Sequence, residues 1–134
     1  MTKPLFMWAG GKNKMLKHYR PYLPTTVEEY CEPFFGGGAM FIYITHTYAP
    51  KRSILNDINP SIMNIYRAIR DYKTDFLHTL DNYEQKYLPL SKEDRKKYFY
   101  QIRSEHAWEY DKWSTVQEAA TLYFLMKTEE NFQY

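Results

Sequence analysis

Short apolar runs separated by turn residues fill the first half of the chain, and helical periodicity dominates the second half. Val27 to Glu32 reads as a short buried strand that ends at Pro33, and Ser53 to Asp57 reads as a second short strand. Between them, Ala39 to Thr45 predicts an apolar helix. Parallel strands joined by a right-handed helical crossover have this order, so the pattern predicts an α/β fold.

Apolar residues at helical spacing predict a helix before and a helix after this β-α-β unit. Apolar and aromatic residues recur from Asn13 until the chain reaches Pro21 to Pro24. After the second strand, Asn59 is a candidate N-cap and Pro60 a candidate first helical residue. The apolar face of that helix is formed by Ile62, Ile65, Tyr66 and Ile69.

Three further helices are predicted beyond Asp71. Asp75 to Tyr87 has helical periodicity, and Ser91 with Asp94 resembles a capping box. Thr115 with Glu118 resembles another, before a helix that is apolar on most of its surface and is expected to be buried.

The helix after Ser91 mixes basic residues with aromatic ones, which leaves two interpretations open. One is a helix that contacts nucleic-acid phosphates, and the other is a solvated amphipathic face, which we prefer. The residues concerned are Lys92, Arg95, Lys96, Lys97, Tyr98, Phe99, Tyr100, Ile102 and Arg103.

Composition narrows the class of protein. With 134 residues, of which 44% are hydrophobic, the chain can bury one core but is at the lower edge for a complete α/β enzyme. The net charge of +2 does not indicate nucleic-acid binding by bulk electrostatics. A single cysteine, Cys31, no signal peptide and no run of membrane-spanning length predict a cytoplasmic protein. Four scattered histidines have no metal-ligand spacing, so no metal is predicted.

The five glycines are the first indication of chemistry. They are confined to Gly10-Gly11 and Gly36-Gly37-Gly38, and we interpret both clusters as walls of one ligand site. Gly36 to Gly38 follow a strand and open a helix, where bare backbone can approach a ligand. A helix amino terminus beside Lys12 favours a carboxylate or phosphate. The alternative for Gly10-Gly11 is an ordinary turn with a solvated lysine.

Asp57 ends the second strand about twenty residues after Gly36, as a βαβ nucleotide-binding unit requires. A carboxylate there can accept hydrogen bonds from ribose hydroxyls. The alternative is a turn residue before a capped helix.

Three stretches together resemble successive motifs of the Dam-like, adenine-specific DNA methyltransferases. They are Met7-Trp8-Ala9-Gly10-Gly11-Lys12, Glu32-Pro33-Phe34-Phe35-Gly36-Gly37-Gly38 and Asn56-Asp57-Ile58-Asn59, in the family's order and spacing. The resemblance implies an incomplete Rossmann-like methyltransferase fold, a role in DNA methylation or restriction-modification, and transfer of a methyl group from S-adenosylmethionine to adenine in double-stranded DNA.

By resemblance, the first motif lies on the methionine side of the cofactor, the glycine triplet passes beneath it, and the third motif borders ribose and adenine. The implied cofactor-binding residues are Trp8, Ala9, Gly10, Gly11, Lys12, Pro33, Phe34, Phe35, Gly36, Gly37, Gly38, Asp57 and Ile58. Lys12 suits the cofactor's carboxylate. Trp8 or Phe35 can face the sulfonium by cation–π attraction, or either ring can belong to the core. Relatives often have a lysine in place of Met7, so DNA contact at that position is not expected.

The chain departs from the family in one respect that matters for activity. Family members hold the target amino group with an acidic or amide residue, two prolines and an aromatic, and this sequence has no Pro-Pro pair. The resemblance extends to about Thr128. We therefore expect residues 1–72 to be the S-adenosylmethionine-binding part and 73–134 the truncated start of the DNA-recognition region. No catalytic residue is assigned, and this chain alone is expected to be inactive.

A non-catalytic binding module derived from such a methyltransferase is the alternative. In either case an incomplete sheet leaves an open edge, so a second polypeptide or self-association is expected. A nicotinamide-binding domain is disfavoured because the triplet lacks the G-x-G-x-x-G spacing.

Overall fold

The structure is a computed structural model that describes residues 5–6 and 11–129. The chain divides between Asn59 and Pro60 into two compact units, which are considered separately below. The functional division at residue 72 stays a prediction, since compactness does not reveal which residues contact DNA. Within the described ranges, no helix is both long and apolar enough to cross a bilayer.

The first unit is α/β and contains two paired strands. Strands β1 (Glu29–Glu32) and β2 (Arg52–Leu55) run parallel, with Glu29 opposite Arg52 and Glu32 opposite Leu55. Helix α2 (Ala39–Tyr48) connects them, so the predicted β-α-β order is confirmed. Before β1 the chain forms a 3-10 helix (Lys12–Met15), a short helix α1 (Leu16–Tyr19) and a second 3-10 helix (Arg20–Tyr22).

Both strands are shorter than the sequence predicts, and β1 is also more exposed than predicted. Val27 and Glu28 precede β1, and within β1 only Glu32 is buried. No residue of β2 is buried. The prediction that Val27 to Glu32 forms a buried strand is wrong, because this two-stranded sheet has no further strand among the described residues to flank it.

Helix α2 ends in a left-handed residue that is not glycine. Ala49 has φ 47° and ψ 58°, and its N–H donates to the carbonyl of Thr45. A Cβ in this conformation costs about 1–2 kcal/mol, more than the entropy that glycine loses on folding. We expect Ala49→Gly to raise the free energy of unfolding by about 0.5–1 kcal/mol, measured by urea denaturation. Ala39→Gly is the control. This residue lies inside the first turn of α2, so its replacement is expected to lower the free energy of unfolding by a similar amount.

The second unit is a helical bundle built around its last helix. It consists of α3 (Pro60–Asp71), α4 (Lys73–Tyr87), α5 (Lys92–Glu109), a 3-10 helix (Tyr110–Lys112) and α6 (Thr115–Thr128). Helix α6 contacts α3, α4 and α5. The expectation that it is buried is therefore confirmed. One core cluster consists of Tyr87, Phe99, Ile102, Phe124 and Leu125.

Serine caps begin both long helices after residue 90. The Ser91 hydroxyl accepts a hydrogen bond from the Asp94 N–H at 3.2 Å, as predicted. At α6 the cap is Ser114, whose hydroxyl accepts from the Gln117 N–H at 3.1 Å. The prediction of Thr115 as the cap is wrong by one residue, because the extended backbone that a cap requires occurs at Ser114.

Part of the positive charge on α5 is held within the helical unit. Lys97 pairs with Glu93 at 3.3 Å and with Asp94 at 3.6 Å. The Arg95 guanidinium lies over the ring of Tyr87, 5.0 Å from its centroid. These contacts reduce the charge that α5 can offer to phosphates, which favours the amphipathic interpretation of this helix.

Candidate cofactor site

The carboxyl ends of the two parallel strands bring two predicted motifs together. Since Glu32 and Leu55 are register partners, the segments that follow them lie side by side. The Asn56 N–H donates to the Glu32 carbonyl at 2.9 Å, and the Phe35 N–H donates to the Asn56 carbonyl at 3.0 Å. The loop after β1 is thus tied to the loop after β2 by backbone hydrogen bonds.

Asp57 connects these loops through its side chain. One carboxylate oxygen accepts from the Gly36 N–H at 2.8 Å, and the other accepts from the Asn59 N–H at 2.9 Å. The contact with Asn59 forms the turn that the alternative interpretation of Asp57 predicted. The contact with Gly36 places the carboxylate against the glycine triplet. Each oxygen keeps lone pairs beyond the bond it accepts here.

The triplet has backbone conformations that favour glycine at two of its three positions. Gly36 has φ 58° and Gly38, which precedes α2, has φ 80°. A Cβ at either position would be unfavourable and would narrow the approach to the backbone. Gly11 differs, because its φ of −56° is open to other residues, so its backbone conformation does not require glycine.

The two adjacent phenylalanines of the second motif point to different environments. Phe35 is 2% exposed, and its ring centroid lies 5.8 Å from that of Phe41. Of the two alternatives for Phe35, the structure therefore favours the core. Phe34 is 80% exposed and Ile58 is 98% exposed. These two apolar side chains flank the triplet and the acid along the sequence and are available to a ligand.

Lys12 joins the first motif to the second through a buried carboxylate. Its ammonium lies 2.7 Å from one oxygen of Glu32 and also donates to the Phe34 carbonyl. The Tyr30 hydroxyl donates to the other Glu32 oxygen at 2.8 Å. Because Glu32 is buried, the ammonium and the phenol together compensate a charge that has little access to water.

Burial raises the pKa of Tyr30, and the hydrogen bond to Glu32 and its negative charge raise it further. The phenol therefore stays a donor across the range in which proteins are handled. We expect Tyr30→Phe to lower the free energy of unfolding by about 1.5–3 kcal/mol, since it removes a hydrogen bond to a charged group. Tyr48→Phe, which loses an exposed bond to the Pro24 carbonyl, is the matched control and should cost about 0.5–1.5 kcal/mol. Equal losses in urea denaturation would contradict the role of Tyr30.

A cleft of about 380 Å³ adjoins this cluster. It is largely aromatic and apolar, and it includes residues that sequence reasoning did not assign to the site. They are Tyr19, Tyr22, Tyr30, Glu32 and Met40, beside Lys12 and Phe34. Two sequence signals could have indicated two of them: Glu32 is the first residue of the second motif, and Tyr30 shares its face of β1 because side chains alternate along a strand.

The structure thus brings most of the implied cofactor residues into one unit. Lys12 contacts the second motif, and Asp57 contacts the glycine triplet, while Ile58 follows Asp57 directly. Trp8, Ala9 and Gly10 lie outside the described residues. Among the residues that are described, no group of three His, Cys, Asp or Glu side chains is arranged to hold a metal ion.

An α/β unit with a glycine triplet tied to an acid at the carboxyl end of parallel strands is typical of a domain that binds a nucleotide-type cofactor. The profile of the D12 class N6 adenine-specific DNA methyltransferases matches residues 8–134. The chain belongs to this family.

Individual relatives agree with the family. Type II methyltransferase M.MjaIII of Methanocaldococcus jannaschii is 32% identical over 99% of this chain and 48% of its own length. Type II methyltransferase M1.LlaDCHI of Lactococcus lactis subsp. cremoris is 30% identical over 98% of this chain and 43% of its own. A DNA adenine methylase of Vibrio cholerae is 30% identical over 73% of this chain and 32% of its own. The chain spans about half the length, or less, of these curated relatives.

Proposed function

We propose that this chain is the S-adenosylmethionine-binding part of an adenine-specific DNA methyltransferase. The observation that carries the proposal is the hydrogen bond from the Gly36 N–H to the Asp57 carboxylate, at 2.8 Å. It joins the two features that a nucleotide-binding βαβ unit needs, a loop without side chains and an acid at the end of the next strand.

The described residues fit such a cofactor. Positive φ angles at Gly36 and Gly38 keep backbone without side chains in a conformation that other residues adopt only at a cost. The remaining lone pairs of Asp57 can accept hydrogen bonds from ribose hydroxyls, and exposed Ile58 offers an apolar contact to a base. Phe34 supplies an exposed aromatic face for a sulfonium. When bound, S-adenosylmethionine supplies an activated methyl group.

Lys12 has a more constrained role in this proposal than the sequence suggested. Two of its three ammonium hydrogens are engaged by Glu32 and the Phe34 carbonyl. Its charge is therefore largely balanced, and we assign it to holding the start of the second motif in place, with one donor left for the cofactor's carboxylate. Trp8, Ala9, Gly10 and Gly11 complete the methionine side by resemblance.

Methyl transfer to DNA needs residues that polarise and position the target amine, and this sequence has no Pro-Pro pair to contribute to them. We therefore propose that the chain alone does not methylate adenine. Double-stranded DNA is the proposed substrate of the complete fold, in which the base must leave the stack to reach the methyl donor.

Two measurements on the purified chain test this proposal. Titration calorimetry is expected to show saturable binding of S-adenosylmethionine and of S-adenosylhomocysteine, with NAD as a non-binding control. Transfer of a tritiated methyl group to duplex DNA is expected to stay at background. Absence of cofactor binding would overturn the cofactor assignment, and turnover on DNA would overturn the claim of inactivity.

The second candidate, a binding module, is favoured by the exposure of the sheet. Cys31 in β1 is exposed, and Ile54 in β2 is 47% exposed. This exposed face suits packing against a second polypeptide or a second copy of this chain, and within the described residues the two-stranded sheet also has edges to which a further strand can pair. Sedimentation velocity is expected to show self-association that increases with concentration, and a monomer at all concentrations would count against a second copy.

A further inference from the structure

The buried Glu32 carboxylate is held between two donors that come from different elements. Tyr30 and Glu32 lie on the same face of β1 because side chains alternate along a strand, and the Tyr30 hydroxyl donates to one Glu32 oxygen at 2.8 Å. The Lys12 ammonium, from the 3-10 helix that begins at this residue, donates to the other oxygen at 2.7 Å. Tyr30 and Lys12 therefore act on each other through one carboxylate group.

The Tyr30 hydroxyl fixes the rotation of this carboxylate. The last torsion of a glutamate side chain has broad minima, so the side chain's own preferences do not set the plane of its two oxygens. One hydrogen bond to each Glu32 oxygen does set that plane. Loss of the phenol would let the carboxylate turn about this torsion, and the Lys12 ammonium bonded to the other oxygen would move with it.

Tyr30 supplies this hydrogen bond without adding a charge. A phenol has one hydrogen to donate, and here Glu32 accepts it. The raised pKa of Tyr30, which burial causes first and Glu32 second, keeps that hydrogen in place. Lys12 is the only cation paired with Glu32 in the part of the chain that the structure describes, so the position of the positive charge depends on a neutral neighbour.

The Lys12 ammonium is the part of this cluster that a ligand can reach. The Lys12 side chain is 32% exposed, whereas that of Glu32 is 6% exposed, and both line the cleft of about 380 Å³. Two of the three ammonium hydrogens are engaged, one by Glu32 and one by the Phe34 carbonyl. Since the hydrogens of an ammonium have a tetrahedral arrangement, fixing two of them fixes the direction of the third.

We propose that Tyr30 is a positioning residue for the carboxylate of the cofactor's methionine end. Acting through Glu32, the Tyr30 hydroxyl sets the direction of the remaining Lys12 N–H, which pairs with that carboxylate. This inference rests on the proposed function and adds a residue that the family resemblance did not assign. Tyr30 then matters only for ligands that have the carboxylate, whereas general support of the fold would affect every ligand of the first unit alike.

Titration calorimetry with two probes separates these roles. S-adenosylhomocysteine has the carboxylate, and its decarboxylated analogue S-adenosyl-3-thiopropylamine differs only in lacking it. We expect Tyr30→Phe to weaken S-adenosylhomocysteine binding about threefold to tenfold and to change binding of the amine by less than about twofold. In a Lys12→Gln background, which removes the ammonium, Tyr30→Phe should cause no further loss for S-adenosylhomocysteine, because the two residues act as one unit.

Two further variants complete the design. Tyr48→Phe is the matched control, because it removes a hydroxyl of the first unit that contacts the Pro24 carbonyl and not Glu32, and it should leave the affinity of both probes unchanged. Glu32→Asp keeps the charge but draws the carboxylate away from both of its donors, so it should show the same selective loss as Tyr30→Phe. Thermal melting confirms that each variant is folded at the titration temperature, and Glu32→Asp carries the test if Tyr30→Phe is not.

The possible results separate this inference from the proposed function. Equal weakening of both probes by Tyr30→Phe would mean general support of the fold, and no weakening of either would mean no role at the site. Both results would overturn the positioning role while leaving the cofactor assignment intact. A wild-type chain that does not bind S-adenosylhomocysteine would instead refute the proposed function, and this inference with it.

Discussion

Asp57→Ala is expected to weaken S-adenosylmethionine binding at least about 100-fold. The carboxylate accepts from the Gly36 and Asn59 N–H groups, and a hydrogen bond to a charged group contributes about 1.5–3 kcal/mol. Alanine removes both bonds and the proposed ribose acceptor together. About 1.4 kcal/mol corresponds to a tenfold change in the dissociation constant, so a 100-fold change requires about 2.8 kcal/mol. Loss of one such hydrogen bond and part of another supplies this amount. Titration calorimetry measures it directly.

Asp57→Asn separates loop support from charge. Asparagine keeps the shape and one acceptor oxygen, but its NH₂ faces one of the two N–H donors that the carboxylate satisfied. We expect an intermediate loss of about tenfold. Glu28→Ala removes an exposed carboxylate whose contact with Lys51 is 3.5 Å, and it should leave cofactor binding unchanged. Wild-type affinity for Asp57→Ala would show that this acid does not support the cofactor site.

The arrangement around Asp57 was open to sequence reasoning because parallel strands limit where their ends can lie. Once Val27 to Glu32 and Ser53 to Asp57 are read as successive parallel strands, the loops after them must meet at one edge of the sheet. The structure shortens both strands but keeps the register that brings the loops together. Errors of one or two residues in the strand limits therefore do not displace the site.

The partners of Lys12 were beyond the same reasoning. Lys12 precedes Glu32 by twenty residues, so the sequence does not show that the two side chains meet. Which side chains of β1 lie on the same face as Glu32 is also unknown until the limits of the strand are known. From the sequence, Lys12 next to a glycine turn is expected to be solvated. The structure shows that the buried Glu32 carboxylate lies beside it. Likewise, Phe34 and Phe35 are adjacent residues of the same type, and the sequence does not distinguish them. The path of the loop places Phe35 in the core and leaves Phe34 exposed.

The prediction that Val27 to Glu32 forms a buried strand was wrong for a different reason. An apolar strand reads as buried when its sheet is wide enough to be covered on both faces, and the local pattern does not report the number of strands. In α6 the apolar pattern did predict burial, but it did not reveal the polar contacts within it. Glu118 was interpreted as part of a capping box, whereas its carboxylate contacts Asn64 and His106 on other helices.

His106→Ala is expected to lower the free energy of unfolding by about 1.5–3 kcal/mol, because the buried Glu118 carboxylate loses a hydrogen bond. The buried Glu118 carboxylate lies 3.2 Å from the His106 ring nitrogen and accepts from the Asn64 amide at 3.3 Å. Alanine leaves the carboxylate with the amide alone, and an uncompensated buried charge is costly. The helical unit would lose its link from α5 to α6 at this point. Urea denaturation, followed by circular dichroism, measures the change.

A double replacement tests whether the cost arises from the stranded charge or from lost packing. Replacing His106 and Glu118 together by leucine removes both members of the pair, and apolar replacement of a buried pair is often close to neutral. We therefore expect the double variant to be more stable than His106→Ala alone, less the cost of the Asn64 amide that loses its acceptor. His78→Ala, at an exposed position of α4, should change stability by less than about 0.5 kcal/mol. If the double variant were the least stable of the three, the ring contacts of His106 with Tyr110 and Trp113 would matter more than its charge partner.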